Sequence, residues 1–553
     1  MKSTRLTPLC FAVALGLGTL LTACGEDKKS AQATDANAAA PADASVAQEI
    51  IIGNGAEPES LDPHKVAGVP ESNILRQMLV GLVSVDDNGK TVPGMATEWS
   101  SPDNKVWTFK LRDAKWSNGD PVTAEDFVFS FRRLIDPMTA SPYSSYLVDA
   151  HFANAQDIVD GKAKPETLGV KAIDEKTLEI TLSEPVPYLP DMMFHTSVKP
   201  VNPKVVKELG DKWTSVGNYV VNGPYKPVDW VVNERIVLER NPEYFDNDKT
   251  TINKITFLAI EAGAAEVSRY KAHELDITST VPPEQYKTLK AELGDQVQTT
   301  PSLCTYYYEF NHTKAPFNDV RVRKALALTV DREVITDNIL GQGQKPAYQY
   351  TPKITNGIKD FNPEWQSWDK AKRAAEAKRL LNEAGFNESN PLTFELLHNT
   401  SESHKQIAVA VSQFWKENIG FVNVTLNNQE WKTYLETRRQ QKFDIARGGW
   451  CADYNEPSTF LNTFKSKNSN NNGKYNNPEF DAILAKTLGG DVTPEQRADL
   501  YTQAEAILDK DAATIFVYHY TDNRLVSPTV KGLTTTDPLF QWEVKNLSKV
   551  AGN

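Results

Sequence analysis

Residues 447–457 read Arg-Gly-Gly-Trp-Cys-Ala-Asp-Tyr-Asn-Glu-Pro. Two adjacent glycines let a second backbone come close. Trp450 and Tyr454 offer flat apolar walls with polar edges, Asp453 is a fixed negative charge suited to a cation, and Cys451 is a point at which the segment can be pinned. On its own residues the stretch is one wall of a binding site, or a turn carrying an exposed acid.

Around it lies a chain of 553 residues, 40% apolar and 24% charged, long enough for two to four domains of about 150 residues each. A net charge of −12 argues against a nucleic-acid partner, which would call for a basic surplus. Beyond the N-terminus no apolar run approaches the roughly 20 residues of a membrane span. Ile50-Ile51-Ile52 predicts a strand leading into a turn-rich loop, and the alternation at 106–111 and 177–182 predicts half-buried strands. Helices are predicted over 124–131, with Thr123 as N-cap, over 369–384, stopped by Gly385, and over 494–508. Strands and helices mix without strict βαβ spacing or a repeat of 20 to 50 residues, which points to α/β domains with chain crossings.

Motifs for chemistry are missing. Of the eight histidines no two stand four apart, and there is no HExxH, cysteine pair or DxDxDG loop, so no metal site is expected. GxSxG and phosphate-loop patterns are absent, and Gly53-Asn-Gly55 and Gly341-Gln-Gly343 each meet Pro where a third glycine belongs. The residues predict no enzyme and no cofactor.

The N-terminus has Lys2 and Arg5, an apolar run over 9–21, then Leu21-Thr22-Ala23-Cys24. This reads as a secretory signal over 1–23 whose last four residues resemble a bacterial lipobox, with Cys24 as the lipidated first residue of the mature chain. The alternative is an ordinary cleaved signal. Residues 24–48 have no large apolar side chain except Val46 and read as a flexible tether to a membrane surface. Gly25, where an Asp would suggest inner-membrane retention, leaves the choice of membrane open. With Cys10 in the signal, Cys304 and Cys451 remain, either as one disulfide or as two buried thiols.

"RGGWCADYNEPSTFLNTF" at 447–464, "LCTYYYEFN" at 303–311, "FNDVRVRKAL" at 317–326, "NQEWKTYL" at 428–435, "LDPHKVAGVPESN" at 61–73 and "NGPYKPVDWVVNERIVLERNPEYFDN" at 222–247 carry a resemblance. The chain is similar, from about residue 49 to its end, to the oligopeptide-binding proteins of bacterial peptide ABC importers, the extracytoplasmic solute-binding protein family 5. The resemblance implies a periplasmic binding protein-like α/β fold of class II, cluster C: two lobes that close by a hinge over a ligand, plus an inserted domain. Carried over, domain I is 49–79, 203–303 and 521–553, domain II is 80–202, and domain III is 304–520. Cys304 and Cys451 then match the family's disulfide.

The resemblance also assigns a site. Asp453 would bind a peptide's α-ammonium, and the backbone at Val69, Gly449 and Cys451 would pair with the extended peptide. Tyr143, Trp431, Trp450, Tyr454 and Glu309 would border hydrated side-chain pockets. Arg447, Arg438 and His404 match positions that receive the peptide carboxylate. Arg439 stands where the enteric pattern has a histidine, Leu340 where it often has a lysine, and Ala67 where it has a glutamate, which would weaken attraction for Lys-rich peptides. The bland alternatives are a solvated helix face for Arg438 and Arg439, core packing for Trp431, and strand packing for Tyr306 to Tyr308. The expected partners are short peptides, a membrane ABC permease and, through the lipid anchor, a membrane surface; the expected state is a monomer in the periplasm. The alternative within the family is a paralogue for murein tripeptide or another modified peptide, with Arg438 and Arg439 on a diaminopimelate carboxylate. The alternative from another class is a peptidase or a periplasmic chaperone.

Overall fold

The computed structural model describes residues 46–489, 491–534 and 536–552. The signal, Cys24 and the tether up to residue 45 lie outside them. Gln48, at the end of the stretch read as tether, is fixed instead: its side-chain amide donates to the Lys549 carbonyl (2.9 Å) and accepts the Lys549 N–H (2.9 Å).

The isoleucine run opens a four-stranded sheet in the order Glu49–Gly53, Lys254–Leu258, Arg235–Arg240, Tyr225–Val231, in which only the first pair is parallel. Ile50 and Ile52 point into the core, as the period of two requires. A second four-stranded sheet, all antiparallel, orders Ala96–Ser100, Val106–Leu111, Thr177–Thr181 and Val170–Asp174. Trp107, Phe109 and Leu111 are its buried face. The helix Ala124–Ile135 starts at the predicted N-cap, with a reciprocal capping box between Thr123 and Asp126. These two sheets and that helix share one continuous apolar core.

The third sheet has its own cores. It has six strands, in the order Lys345–Pro346, Thr514–Leu525, Val297–Phe310, Ile445–Cys451, Leu392–Asn399, Val422–Gln429. Tyr306, Tyr307 and Tyr308 are buried along its central strand, as strand packing predicts. The helix Lys370–Glu383 is capped by the Asp369 side chain on the Lys372 N–H (2.7 Å) and followed by Gly385 at φ +93°, a backbone that glycine adopts without strain. The helix Pro494–Lys510 begins at a Thr493–Gln496 capping box.

Two long strands connect the sheets. Val297–Phe310 and Thr514–Leu525 pair along most of their length, and the bridges Ile277 to Val526 and Ile52 to Ile277 tie their far end to the first sheet. Their ladder is interrupted between Pro301 and Thr305. Proline has no N–H to give there.

Candidate functional site

The strand Ile445–Cys451 runs antiparallel to Val297–Phe310, which sets Cys451 opposite Cys304 with the sulfur atoms 2.01 Å apart. On its other side the partner strand pairs only at Ile445 and Ala446. From Arg447 to Cys451 one edge of the strand therefore has no ladder partner among the described residues; the Arg447 carbonyl accepts the Tyr434 hydroxyl, and the edge beyond it, at Gly449 and Cys451, is open to an added strand. The two glycines answer different crowding. A Cβ on Gly448 would fall 2.2 Å from the Tyr307 ring, and one on Gly449 would fall 2.8 Å from the Arg447 guanidinium, which folds back along the strand.

Past the strand the chain turns, and the Asp453 N–H donates to Thr459 Oγ1 (2.9 Å). The acid is not on an exposed turn, as one reading of the sequence had it, but buried. Tyr143 donates its hydroxyl to Oδ1 (3.3 Å), and Nε2 of His195 lies 3.2 Å from the same oxygen. The His195 ring packs against both Tyr143 and Tyr146, at 4.6 and 4.9 Å between centroids. Oδ2 accepts no hydrogen bond from the described residues. Burial pushes the Asp453 carboxyl well above the ordinary range, Tyr143 holds it down in part, and Asp149 adds to the rise. Burial, with Lys199 and Arg76 nearby, brings His195 down to about 3, so it faces the acid as a neutral ring. Asp453 thus has no cation.

The four candidate anion-binding groups separate sharply. Arg447 is buried, donates to Tyr520 Oη (2.5 Å) and Asn399 Oδ1 (3.4 Å), and lies over the Tyr306 ring at 5.0 Å. Its Nε has no partner, and no carboxylate among the described residues comes within ion-pair distance. Arg438 is taken by Glu309 in a buried pair. Arg439 is held in a bidentate pair by Glu59 (2.5 and 2.8 Å). Neither is the solvated helix face that was the bland alternative: Arg438 is buried and Arg439 half-buried. His404 is half-buried, with Nδ1 enclosed and without a partner, and desolvation of the ring, with Arg447 and His398 beside it, holds it far below the ordinary histidine range. In the present arrangement the ring is neutral.

The remaining residues border this space unequally. Trp450 stacks near Tyr143 (6.1 Å) and donates its indole N–H to the Thr459 carbonyl (2.8 Å). Trp431 is half-buried and stacks on Tyr434 (5.7 Å). Tyr454 is buried against Tyr188 (5.8 Å), pairs with Ser458 and lines a small cavity with Tyr143, Trp450 and Asp453. Val69 is 51% exposed and opens the helix Val69–Met78 after an extended Gly68, so its backbone stands at a helix start, where first-turn N–H groups have no intrahelical acceptor. The sequence reading missed His195, Tyr520 and Glu71. Each is far in sequence from its partner and stands in no recognisable motif.

A buried acid without a cation, a buried cation without an acid and an open strand edge between them stand together here. The chain belongs to the bacterial extracellular solute-binding proteins, family 5, whose middle-section model matches residues 90–472. The periplasmic oligopeptide-binding protein OppA of Salmonella typhimurium is 53% identical over 538 residues, covering 97% of each chain. The Haemophilus influenzae OppA in complex with the peptide RPPGFSPFR has a TM-score of 0.90 at 49% identity, covering 92% of this chain and all of that one. The murein tripeptide binding protein MppA of Escherichia coli also gives 0.90, at 42% identity, covering 91% of this chain and 99% of that one. An unliganded open form of MppA gives only 0.64 at the same identity, covering 92% and 98%. The fold is periplasmic binding protein-like, and its present arrangement is that of the peptide complex and not of the open form.

Proposed function

We propose that the protein captures short peptides in the periplasm, closes on them and delivers them to a membrane ABC importer, without catalytic chemistry of its own. One observation carries the reading: Asp453 and Arg447, a buried acid and a buried cation, have no charged partner among the described residues, and they flank an open strand edge. A zwitterionic peptide supplies both missing charges, and its backbone supplies the missing ladder at Gly449 and Cys451, whatever its side chains. A buried charge without a partner costs several kcal/mol, so closing empty is penalised and closing on a peptide is not.

In this reading residues 49–79, 203–303 and 521–553 form one lobe, 304–520 the other, and 80–202 the inserted domain. The two long strands are the connection that flexes, at the ladder break after Pro301. Cys304 and Cys451 form a disulfide that fixes the ligand-facing edge, Cys24 carries the lipid anchor, and the protein works as a monomer. The murein-peptide reading rested on Arg438 and Arg439 as spare cations; Glu309 and Glu59 occupy both, and although the murein tripeptide relative fits the fold as well, the oligopeptide-binding relatives are more similar in sequence.

The test is calorimetric titration of protein stripped of copurified ligand, with tri- to pentapeptides and their N-acetylated forms. Binding should disappear on acetylation and in Asp453→Ala. No heat with any plain peptide would sink the reading and move the choice to a specialised ligand.

A further inference from the structure

One buried acid outside the ligand-facing pair joins the separate cores. Glu71 stands in the first turn of the helix Val69–Met78, whose Ile74, Leu75 and Met78 pack in the core of the first sheet. Its side chain is fully buried. Oε1 accepts the Glu59 backbone N–H (2.7 Å) and the indole N–H of Trp431 (3.2 Å). Trp431 opens the helix Trp431–Arg439, and it packs with Tyr434 against Leu397 and Ala446 of the six-stranded sheet. Oε2 is buried and has no hydrogen-bond partner. The space around it is closed: a Cβ on Gly68 would lie 2.1 Å from Oε2 and 2.8 Å from the Trp431 ring.

No cation compensates this carboxyl. Glu59, on the preceding loop, is an acid whose charge is met by Arg439. Glu430, the N-cap of the Trp431 helix, and Glu261 near it are acids as well, and the nearby Lys432 acts on Glu430. An ionised carboxyl here would keep one oxygen dry and without a donor, among other acids; the neutral acid is cheaper to bury.

We propose that Glu71 is the positioning residue of the closing joint, carrying a proton while Trp431 is seated on it and releasing that proton when the joint opens to water, so that closure on a ligand takes up a proton. The inference rests on the proposed closing around peptide. Burial raises this carboxyl from the ordinary 4.5 to about 7 in the present arrangement. The closed form therefore binds the proton more tightly than a water-exposed open form, acid favours closure, and the gain is lost as pH rises through about 7. The same side chain orders two ligand-facing parts, the run from Glu59 to Val69 and the Trp431 wall.

The test compares wild type, Glu71→Gln and Glu71→Ala, with a peptide lacking His, Asp and Glu, titrated from pH 5.5 to 7.5 in buffers of different ionisation enthalpy. Gln keeps the acceptor for both N–H groups and imitates the protonated acid. Wild-type affinity should fall about twentyfold more than that of Glu71→Gln across this range, with uptake of about one proton per peptide near pH 6 that Glu71→Gln lacks. At pH 7.5 Glu71→Gln should bind more tightly than wild type, and Glu71→Ala should bind more weakly than Glu71→Gln throughout. Peptide binding with parallel pH profiles in wild type and Glu71→Gln overturns the inference alone; no peptide binding by wild type overturns the functional reading and this inference with it.

Discussion

Asp453 Oδ1 lies 3.2 Å from Nε2 of His195, while Nδ1 of that ring accepts the Ser197 N–H (3.3 Å). The ring proton is therefore on Nε2, facing the acid. His195→Phe keeps a ring against Tyr143 and Tyr146 but removes this N–H. Affinity for a free-ammonium peptide should drop about tenfold. In an Asp453→Asn background the same substitution should change little, and an undiminished effect there would show that His195 acts only through packing.

Arg447 is the buried cation that lacks an anion, and its guanidinium sits beside Gly449, four residues of chain before Asp453. At most about 13 Å of extended backbone separates them, the length of three to four peptide residues. Arg447→Met should weaken tri- and tetrapeptides by at least thirtyfold, in line with the roughly 2–5 kcal/mol of a truncated buried charge pair. C-terminal amidation of the peptide should remove most of that difference. Equal loss for amidated and free peptides would place the carboxylate elsewhere.

Arg438 should behave in the opposite way. Arg438→Met leaves Glu309 buried without its partner, which costs stability by about 3–5 kcal/mol. Thermal denaturation of the ligand-free protein should show the fall, and Glu309→Gln combined with Arg438→Met should recover much of it. Unchanged stability in the single variant would mean that the pair is hydrated.

Gly448→Ala should destabilise the fold by about 1–3 kcal/mol through overpacking, because its Cβ would meet the Tyr307 ring at 2.2 Å. Tyr307→Leu should relieve the clash in the double variant. Denaturant midpoints for the three proteins check this, and a neutral Gly448→Ala would contradict the packing.

What the amino-acid order determined by itself is local. Thr123 with Asp126, Asp369 with Lys372, and Thr493 with Gln496 punctuate helices within a turn of chain, and the 106–111 alternation fixes one buried face. The run Arg447–Pro457 carried the acid proposed to face the ligand, and the ordered motifs around it carried the family. Charge pairing is not local. Arg438, Arg439 and Arg447 are alike as residues, and only folding brings Glu309 to the first, Glu59 to the second and no acid to the third. His195 and Glu71 gain their roles in the same way, from partners hundreds of residues off. Tertiary structure decided which charges are spent, because a buried charge is governed by the few groups within about 4 Å of it, and chain contiguity does not select those groups.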